Sequence, residues 1–364
     1  MDGYTQIYAG GIRCGASCAV VTPFSGGEID FDSLGRVIDH VLAGGVRSIV
    51  VCGTTGESAT LTDAEQTAIV KYAVGRCAGR AQVLCGASSN SSVHAARRAA
   101  RAIEAGADGV LCVTPYYNKA SEDGMAAHYL LISDAVASVS TTAGIILYNV
   151  PSRTGSSLTF GVLDRLADRE NIVGIKEASG DMRTVTGILA RYGKRFAGAS
   201  AAGDADGVHT GYPGRFAGAS AAGDADGAHT GYPGRFAGAS AEGDADGAAA
   251  SYPGRFALWS GCDELNQPIM ASGGVGCISV LANVFPAEVE RLCRASLSGD
   301  HETARRISEA MRGAVDALFC EVNPIPVKAA LADMGLCREE YRLPLCPLGE
   351  AKRRYVTETM RRYR

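Results

Sequence analysis

Short apolar runs rich in strand-forming residues recur along the chain at 16–22, 48–52, 82–85, 109–114, 144–150, 172–176, 256–259 and 276–280. Between them lie Ala-, Leu- and Arg-rich stretches with apolar residues at helical spacing, among them 63–75 and 92–105, the first opened by Thr62 as its N-cap. Strands and helices alternating at this length predict parallel βαβ units. Eight units predict a closed (β/α)8 TIM barrel of the α/β class rather than an open doubly wound sheet. About three further helical stretches, from Pro286 through Arg361, predict a C-terminal helical extension. The predicted organisation is a barrel over 1–285 and C-terminal helices over 286–364.

One segment breaks the pattern. Residues 195–254 are three tandem copies of a twenty-residue unit, beginning at Arg195, Arg215 and Arg235. Removing them joins Lys194 to Arg255 and gives a helix end followed directly by the seventh strand, so the repeat reads as an insertion into the barrel. Its Gly, Ala, Ser and Asp bury too little apolar surface to offset the entropy of ordering, which predicts a disordered, extended arm. The Gly-Asp-Ala-Asp-Gly element lacks the further carboxylates and closing Glu of a calcium loop, and no unit has the apolar face a solenoid needs. Lying before the seventh strand, the insertion falls at the N-terminal face of the barrel, roughly 17–20 Å from the strand ends where chemistry is expected.

Composition narrows the function classes. With 46% hydrophobic and 20% charged residues, the chain of 364 can bury a large core. A formal charge of −4 and no dense Lys/Arg run give no electrostatic footprint for nucleic acid or an anionic membrane. No run approaches the ~18 apolar residues that span a bilayer, and no secretory pattern opens the chain, so a cytoplasmic location is expected. Twelve cysteines are scattered, several of them (Cys52, Cys85, Cys112 and Cys277) inside apolar runs, and read as buried thiols. Cys14 and Cys18 lack a second pair at finger spacing, so no metal is expected, and no cofactor.

Candidate chemistry sits at the ends of the apolar runs. Gly53-Thr54-Thr55-Gly56-Glu57-Ser58 follows the second run and offers backbone N–H groups and hydroxyls to an anion, without the Gly-Lys of a P-loop. Thr114-Pro115-Tyr116-Tyr117-Asn118 ends the fourth run, and Tyr148-Asn149-Val150-Pro151-Ser152-Arg153-Thr154-Gly155 ends the fifth. The sixth ends in Lys176-Glu177, two adjacent charges on a strand otherwise fit for burial on both faces. One of the two must point into the barrel mouth, where a desolvated lysine presents the neutral amine that attacks a ketone. Tyr148 would sit beside it as a proton shuttle, and Arg153 offers a fork for a carboxylate. A Lys/Glu pair on the rim, a core tyrosine and a surface arginine are the plainer readings of the same residues.

Taken together with Asn323-Pro324-Ile325-Pro326-Val327-Lys328, these motifs closely resemble the dihydrodipicolinate synthase (4-hydroxy-tetrahydrodipicolinate synthase) family, within the N-acetylneuraminate lyase and class I aldolase superfamily. The resemblance covers the chain except for the repeat. It implies a lyase that condenses pyruvate with aspartate 4-semialdehyde through a lysine Schiff base, in lysine and diaminopimelate biosynthesis. It further implies that Lys176 carries the imine, that Thr54 and Thr55 hold the pyruvate carboxylate, and that Tyr148, Thr54 and Tyr117 form a proton relay. Tyr117 would come from the partner in a homodimer or homotetramer. Arg153 would bind the second substrate's carboxylate, and Gly261 and Ile278 would line the pocket through backbone groups.

The chain departs from the family at Cys262, where the synthases often carry Asp, while Asp263 is retained. In the family's lysine-inhibition site Ser58, Ala59, Asn90 and Tyr116 match, but Asp63, Gln66 and His94 replace the residues that hold lysine, so that site is not intact here. Two alternatives stay open at this point. One is another Schiff-base aldolase or lyase of the superfamily, for which Ser152-Arg153-Thr154 is the main counter-argument. The other is a non-catalytic scaffold acting through the repeat arm.

Overall fold

The computed structural model describes residues 8–193 and 256–363, so the three repeat units expected at 195–254 lie outside the described residues. Eight parallel strands close into a barrel. They are β1 (Gly15–Ala19), β2 (Ser48–Val51), β3 (Gln82–Gly86), β4 (Gly109–Val113), β5 (Gly144–Asn149), β6 (Ile172–Glu177), β7 (Ala257–Ser260) and β8 (Gly276–Ser279). Their spatial order is their chain order, and β8 pairs with β1 to complete the ring. A short antiparallel pair, Tyr8–Ala9 with Ile12–Arg13, precedes the barrel. A second, Phe24–Ser25 with Glu28–Ile29, follows β1.

The helices that cover the strands are α1 (Phe31–Ala43), α2 (Asp63–Cys77), α3 (Ser92–Glu104), α4 (Glu122–Ala137), α5 (Phe160–Leu166), α6 (Met182–Tyr192), α7 (Asn266–Ala271) and α8 (Pro286–Leu297). Thr62 caps α2 as the sequence predicts, in a reciprocal box in which the Glu65 N–H donates to Thr62 Oγ1 at 3.2 Å and the Thr62 N–H to Glu65 Oε2 at 2.8 Å. Beyond α8 lie α9 (His301–Leu318), α10 (Ile325–Asp333) and α11 (Glu350–Tyr363). Four helices therefore follow Pro286, and the first of them packs on β1 and α1 as the barrel's eighth. Helix α10 is buried continuously from Ile325 to Leu331, so it has no polar stripe by which periodicity could have counted it.

Strand bounds differ from the sequence pattern mainly in β1. The Val20 N–H still donates to the Val50 carbonyl at 3.0 Å, and beyond it the chain turns to loops: the Val21 N–H donates to Asn283 Oδ1 at 3.3 Å and Thr22 Oγ1 to the Gly56 carbonyl at 2.7 Å. Two apolar layers result. One lies between strands and helices, and the other fills the barrel itself around Ile12, Val50, Leu111, Ile146, Val173 and Trp259. Trp259 is wholly buried, and Gly174 on the neighbouring strand makes room for it, since a Cβ there would lie 2.8 Å from the indole and 2.1 Å from the Ala257 carbonyl oxygen.

A fully buried long-range ion pair ties the turn after β2 to α10. Lys328 Nζ lies 2.6 Å from Glu57 Oε1 with both side chains fully buried. It also donates to the Glu340 carbonyl at 2.5 Å and lies 4.4 Å from the Phe24 ring centre and 5.0 Å from that of Tyr341. Desolvation pushes the Lys328 pKa down and the Glu57 carboxylate opposes the shift. Removing one partner strands the other charge, so Lys328→Met should destabilise the chain by about 3–5 kcal/mol. Thermal unfolding should show the loss, and adding Glu57→Gln should recover much of it.

A second buried polar group sits between α3 and α4. His128 Nδ1 lies 3.0 Å from Ser92 Oγ, while Nε2 has no hydrogen-bond partner among the described residues. Burial pushes the imidazole pKa down to about 4 from an ordinary 6.5. The folded chain thus holds His128 neutral where the unfolded chain protonates it. That contribution is present above the unfolded value and is lost as pH falls from about 6.5 toward 4, a change on the order of 2–3 kcal/mol. The fall in melting temperature between pH 7 and pH 4.5 should be smaller in His128→Gln than in the parent chain.

Candidate active site

The alternation of a β-strand decides which of the two adjacent charges faces the barrel mouth. Lys176 pairs in register with Tyr148 on β5 and Trp259 on β7 and is 6% exposed. Its Nζ lies 4.4 Å from the centre of the Tyr148 ring, and Tyr148 is itself buried. Glu177 turns the opposite way and is 1% exposed. There its carboxylate accepts from Asn149 Nδ2 at 2.8 Å and from the Ser179 N–H at 2.6 Å. Asn149 is oriented in turn by the Leu158 N–H, which donates to its Oδ1 at 3.0 Å. The buried carboxylate is thereby satisfied without reaching the lysine.

Lys176 opens into a cavity of about 490 Å³ that Tyr148, Thr54, Thr55, Arg153 and Gly261 also line. In the turn after β2, the N–H groups of Gly56, Glu57 and Ser58 close back onto Gly53 and Thr54, so any anion contact there falls to Thr54 and Thr55. Glu57 adopts a left-handed backbone (φ 54°), which turns its side chain toward Lys328. Thr55 is buried and accepts from Asn323 Nδ2 at 2.9 Å, and Arg153 donates to the Asn323 carbonyl at 3.4 Å. Asn323 therefore joins two predicted site residues. The sequence placed it in a recognisable motif but gave no reason to assign it a role, because the contact spans 268 positions.

Gly261 has a specific steric cause. A Cβ there would lie 2.8 Å from Lys176 Cε and 2.7 Å from the Ala178 Cβ. Beside it, Cys262 lines the same cavity with its thiol pKa pushed up to about 12, chiefly by burial and next by Glu264, so the thiol stays neutral next to the amine. Asp263 turns inward and accepts from the N–H groups of Val280 and Leu281, each at 2.9 Å, and from Asn266 Nδ2 at 3.0 Å. It fixes the loop after β7 to the loop after β8.

Two predicted residues keep their side chains out of the cavity of their own chain. The Ile278 side chain is 1% exposed inside the barrel core, which leaves only its backbone groups for the role expected of it, and Val280 lines the cavity wall. Tyr117 has a left-handed backbone (φ 71°) and is 88% exposed, outside the cavity of its own chain. A neighbouring cavity of about 470 Å³ shares Thr54, Tyr148 and Arg153 and extends past Ser58, Ala59, His94 and Tyr116. Next to it, Asp63 is already engaged by His94 at 3.0 Å, Arg98 at 2.8 Å and Arg101 at 2.6 Å. Partial burial raises the Asp63 pKa, and these donors outweigh it, holding the carboxyl well below the usual range. Among the described residues no group of three His, Cys, Asp or Glu is placed to hold a metal, and no helix is long and apolar enough to cross a membrane.

The description of the dihydrodipicolinate synthetase family matches residues 13–214 and 247–362. The 4-hydroxy-tetrahydrodipicolinate synthase of Geobacter sulfurreducens is 37% identical over 349 residues, 96% of this chain and 98% of the relative. The crystal structure of dihydrodipicolinate synthase from Aquifex aeolicus superposes with a TM-score of 0.77 at 33% identity, covering 96% of this chain and 98% of the other. The chloride-inhibited dihydrodipicolinate synthase from Acinetobacter baumannii, complexed with pyruvate, gives 0.75 at 31% identity over 96% and 97%. Filling the space at Gly261 should displace the lysine. In Gly261→Ala, 2-keto acid trapped on Lys176 by borohydride and read by intact mass should fall about tenfold or more, with the circular dichroism spectrum unchanged.

Proposed function

The chain belongs to the dihydrodipicolinate synthetase family, and we propose that its barrel condenses pyruvate with aspartate 4-semialdehyde on Lys176 to give 4-hydroxy-tetrahydrodipicolinate. The reaction is that of a lyase in lysine and diaminopimelate biosynthesis. One observation carries the assignment of the lysine: Lys176 and Tyr148 are cross-strand partners, both buried, with the amine 4.4 Å from the phenol ring at the base of an open cavity.

Chemistry follows from that placement. The Lys176 amine attacks the ketone carbon of pyruvate, and loss of one water from the carbinolamine leaves the imine. Tyr148, with Thr54, moves the protons that this addition and dehydration require. Thr54 and Thr55 receive the pyruvate carboxylate. Loss of a methyl proton gives the enamine, whose carbon attacks the aldehyde of the second substrate, held by its carboxylate on Arg153. The amino group of that substrate then adds to the imine carbon, closing the ring and returning Lys176 as the free amine. Gly261 leaves the space that the lysine stem occupies.

The relay is completed by Tyr117 from a second copy in a homodimer or homotetramer. This part of the proposal is supported by its exposure, since a large aromatic side chain 88% exposed on a left-handed backbone is placed for a partner rather than for its own core. A cytoplasmic site of action is supported by the cysteines, all twelve of which are free thiols.

The test is pyruvate-dependent consumption of aspartate 4-semialdehyde, coupled to a reductase and NADPH. Turnover in the parent chain and background rates in Lys176→Ala are expected. No turnover, with a pyruvate adduct still trapped on Lys176, would move the reading to another aldolase or lyase acceptor.

A further inference from the structure

One wall of the Lys176 cavity is not built by the barrel. It comes from the last turns of α9, which present Arg312 and Asp316, one helical turn apart, to the same space as Lys176 and Arg153. The other arginines of that helix are engaged with acidic neighbours: Arg305 with Glu302 at 2.8 Å and Glu309 at 2.6 Å, and Arg306 with Glu302 at 3.8 Å. Arg312 has no ion pair or hydrogen bond among the described residues, and it does not close on Asp316. The cavity thus holds two guanidinium groups and two exposed carboxylates, Asp316 and Glu264, beside a neutral thiol at Cys262.

The function proposed above, on which this inference rests, asks the cavity to accept two carboxylates and one ammonium group. Pyruvate brings one carboxylate, met by Thr54 and Thr55 near the lysine. The acceptor aldehyde brings the other carboxylate and an amino group, which enters as ammonium and closes the ring only after losing a proton. We propose that Arg312 is a specificity-determining residue for the acceptor: its guanidinium shares the acceptor carboxylate with Arg153, and Asp316 faces the ammonium group. A fixed, planar fork of donors suits a carboxylate, and a carboxylate one turn along the helix sets the polarity in which a zwitterion enters. Arg312 thereby favours an amino-acid aldehyde over an uncharged one.

The test is steady-state kinetics of the full chain and of R312Q, varying both substrates. Loss of one charge-assisted contact at a partly solvated site should raise KM for aspartate 4-semialdehyde about tenfold, with KM for pyruvate within about twofold of the parent. An aldehyde KM that changes less than about twofold, or an equal rise for both substrates, overturns the assignment. If the parent chain does not turn over aspartate 4-semialdehyde, the functional reading fails on its own, and calorimetric titration of succinate, a carboxylate probe that needs no turnover, decides about Arg312. Succinate binding about tenfold weaker in R312Q than in the parent supports the assignment, and equal binding overturns it.

Discussion

The buried pair of Glu57 and Lys328 is the constraint from which the site's shape follows. Both charges have left water, so each is tolerable only while the other is in place. The pair joins positions 271 residues apart, one on the turn after β2 and the other inside α10. Glu57 reaches it from a left-handed backbone, at the end of the same turn whose Thr54 and Thr55 line the cavity. The backbone N–H of Arg342 also reaches the Glu57 carboxylate, at 3.2 Å, while the guanidinium of the same residue pairs with Glu65 at the start of α2. The helices after the barrel are therefore part of the site's framework rather than an appendage.

Around Lys176 the chain removes competing charge instead of adding it. Glu177, adjacent in sequence, is held on the opposite face by Asn149 and Ser179. Cys262 is kept as a neutral thiol, and Asp263 spends its carboxylate on backbone N–H groups of the next loop. Tyr148 remains beside the amine, and its phenol hydroxyl is the group that can carry a proton. Among the described residues, the other charged side chains that line the cavity are Arg153, Glu264, Arg312 and Asp316.

Much of this was legible in the chain. The eight apolar runs fall on the eight strands, with bounds that differ by a few residues where loops take over the polar groups, as at Val21 and Thr22. Lys176, Tyr148, Thr54, Thr55, Arg153 and Gly261 meet in one cavity because each sits at or just past a strand end, and parallel strands bring those ends to one face. What was not legible depends on long-range contact. Asn323, Arg312 and the Glu57–Lys328 pair join segments that no local period links. The Ile278 side chain belongs to the barrel filling, and Val280, two positions on, lines the cavity wall.

The cross-strand pairing of Lys176 with Tyr148 ties catalysis to ladder register. In a β-strand a shift of one residue exchanges the two faces. On β6 such a slip would carry the amine into the layer beneath the helices and set the Glu177 carboxylate in the mouth. An electron-rich acceptor of protons would stand where an electron-pair donor to carbon is needed, and the carboxylates of incoming ligands would be repelled. The hydrogen-bonded neighbours on β5 and β7 thus act as a proofreading frame, and insertions in the chain are tolerable only where they leave that frame in step.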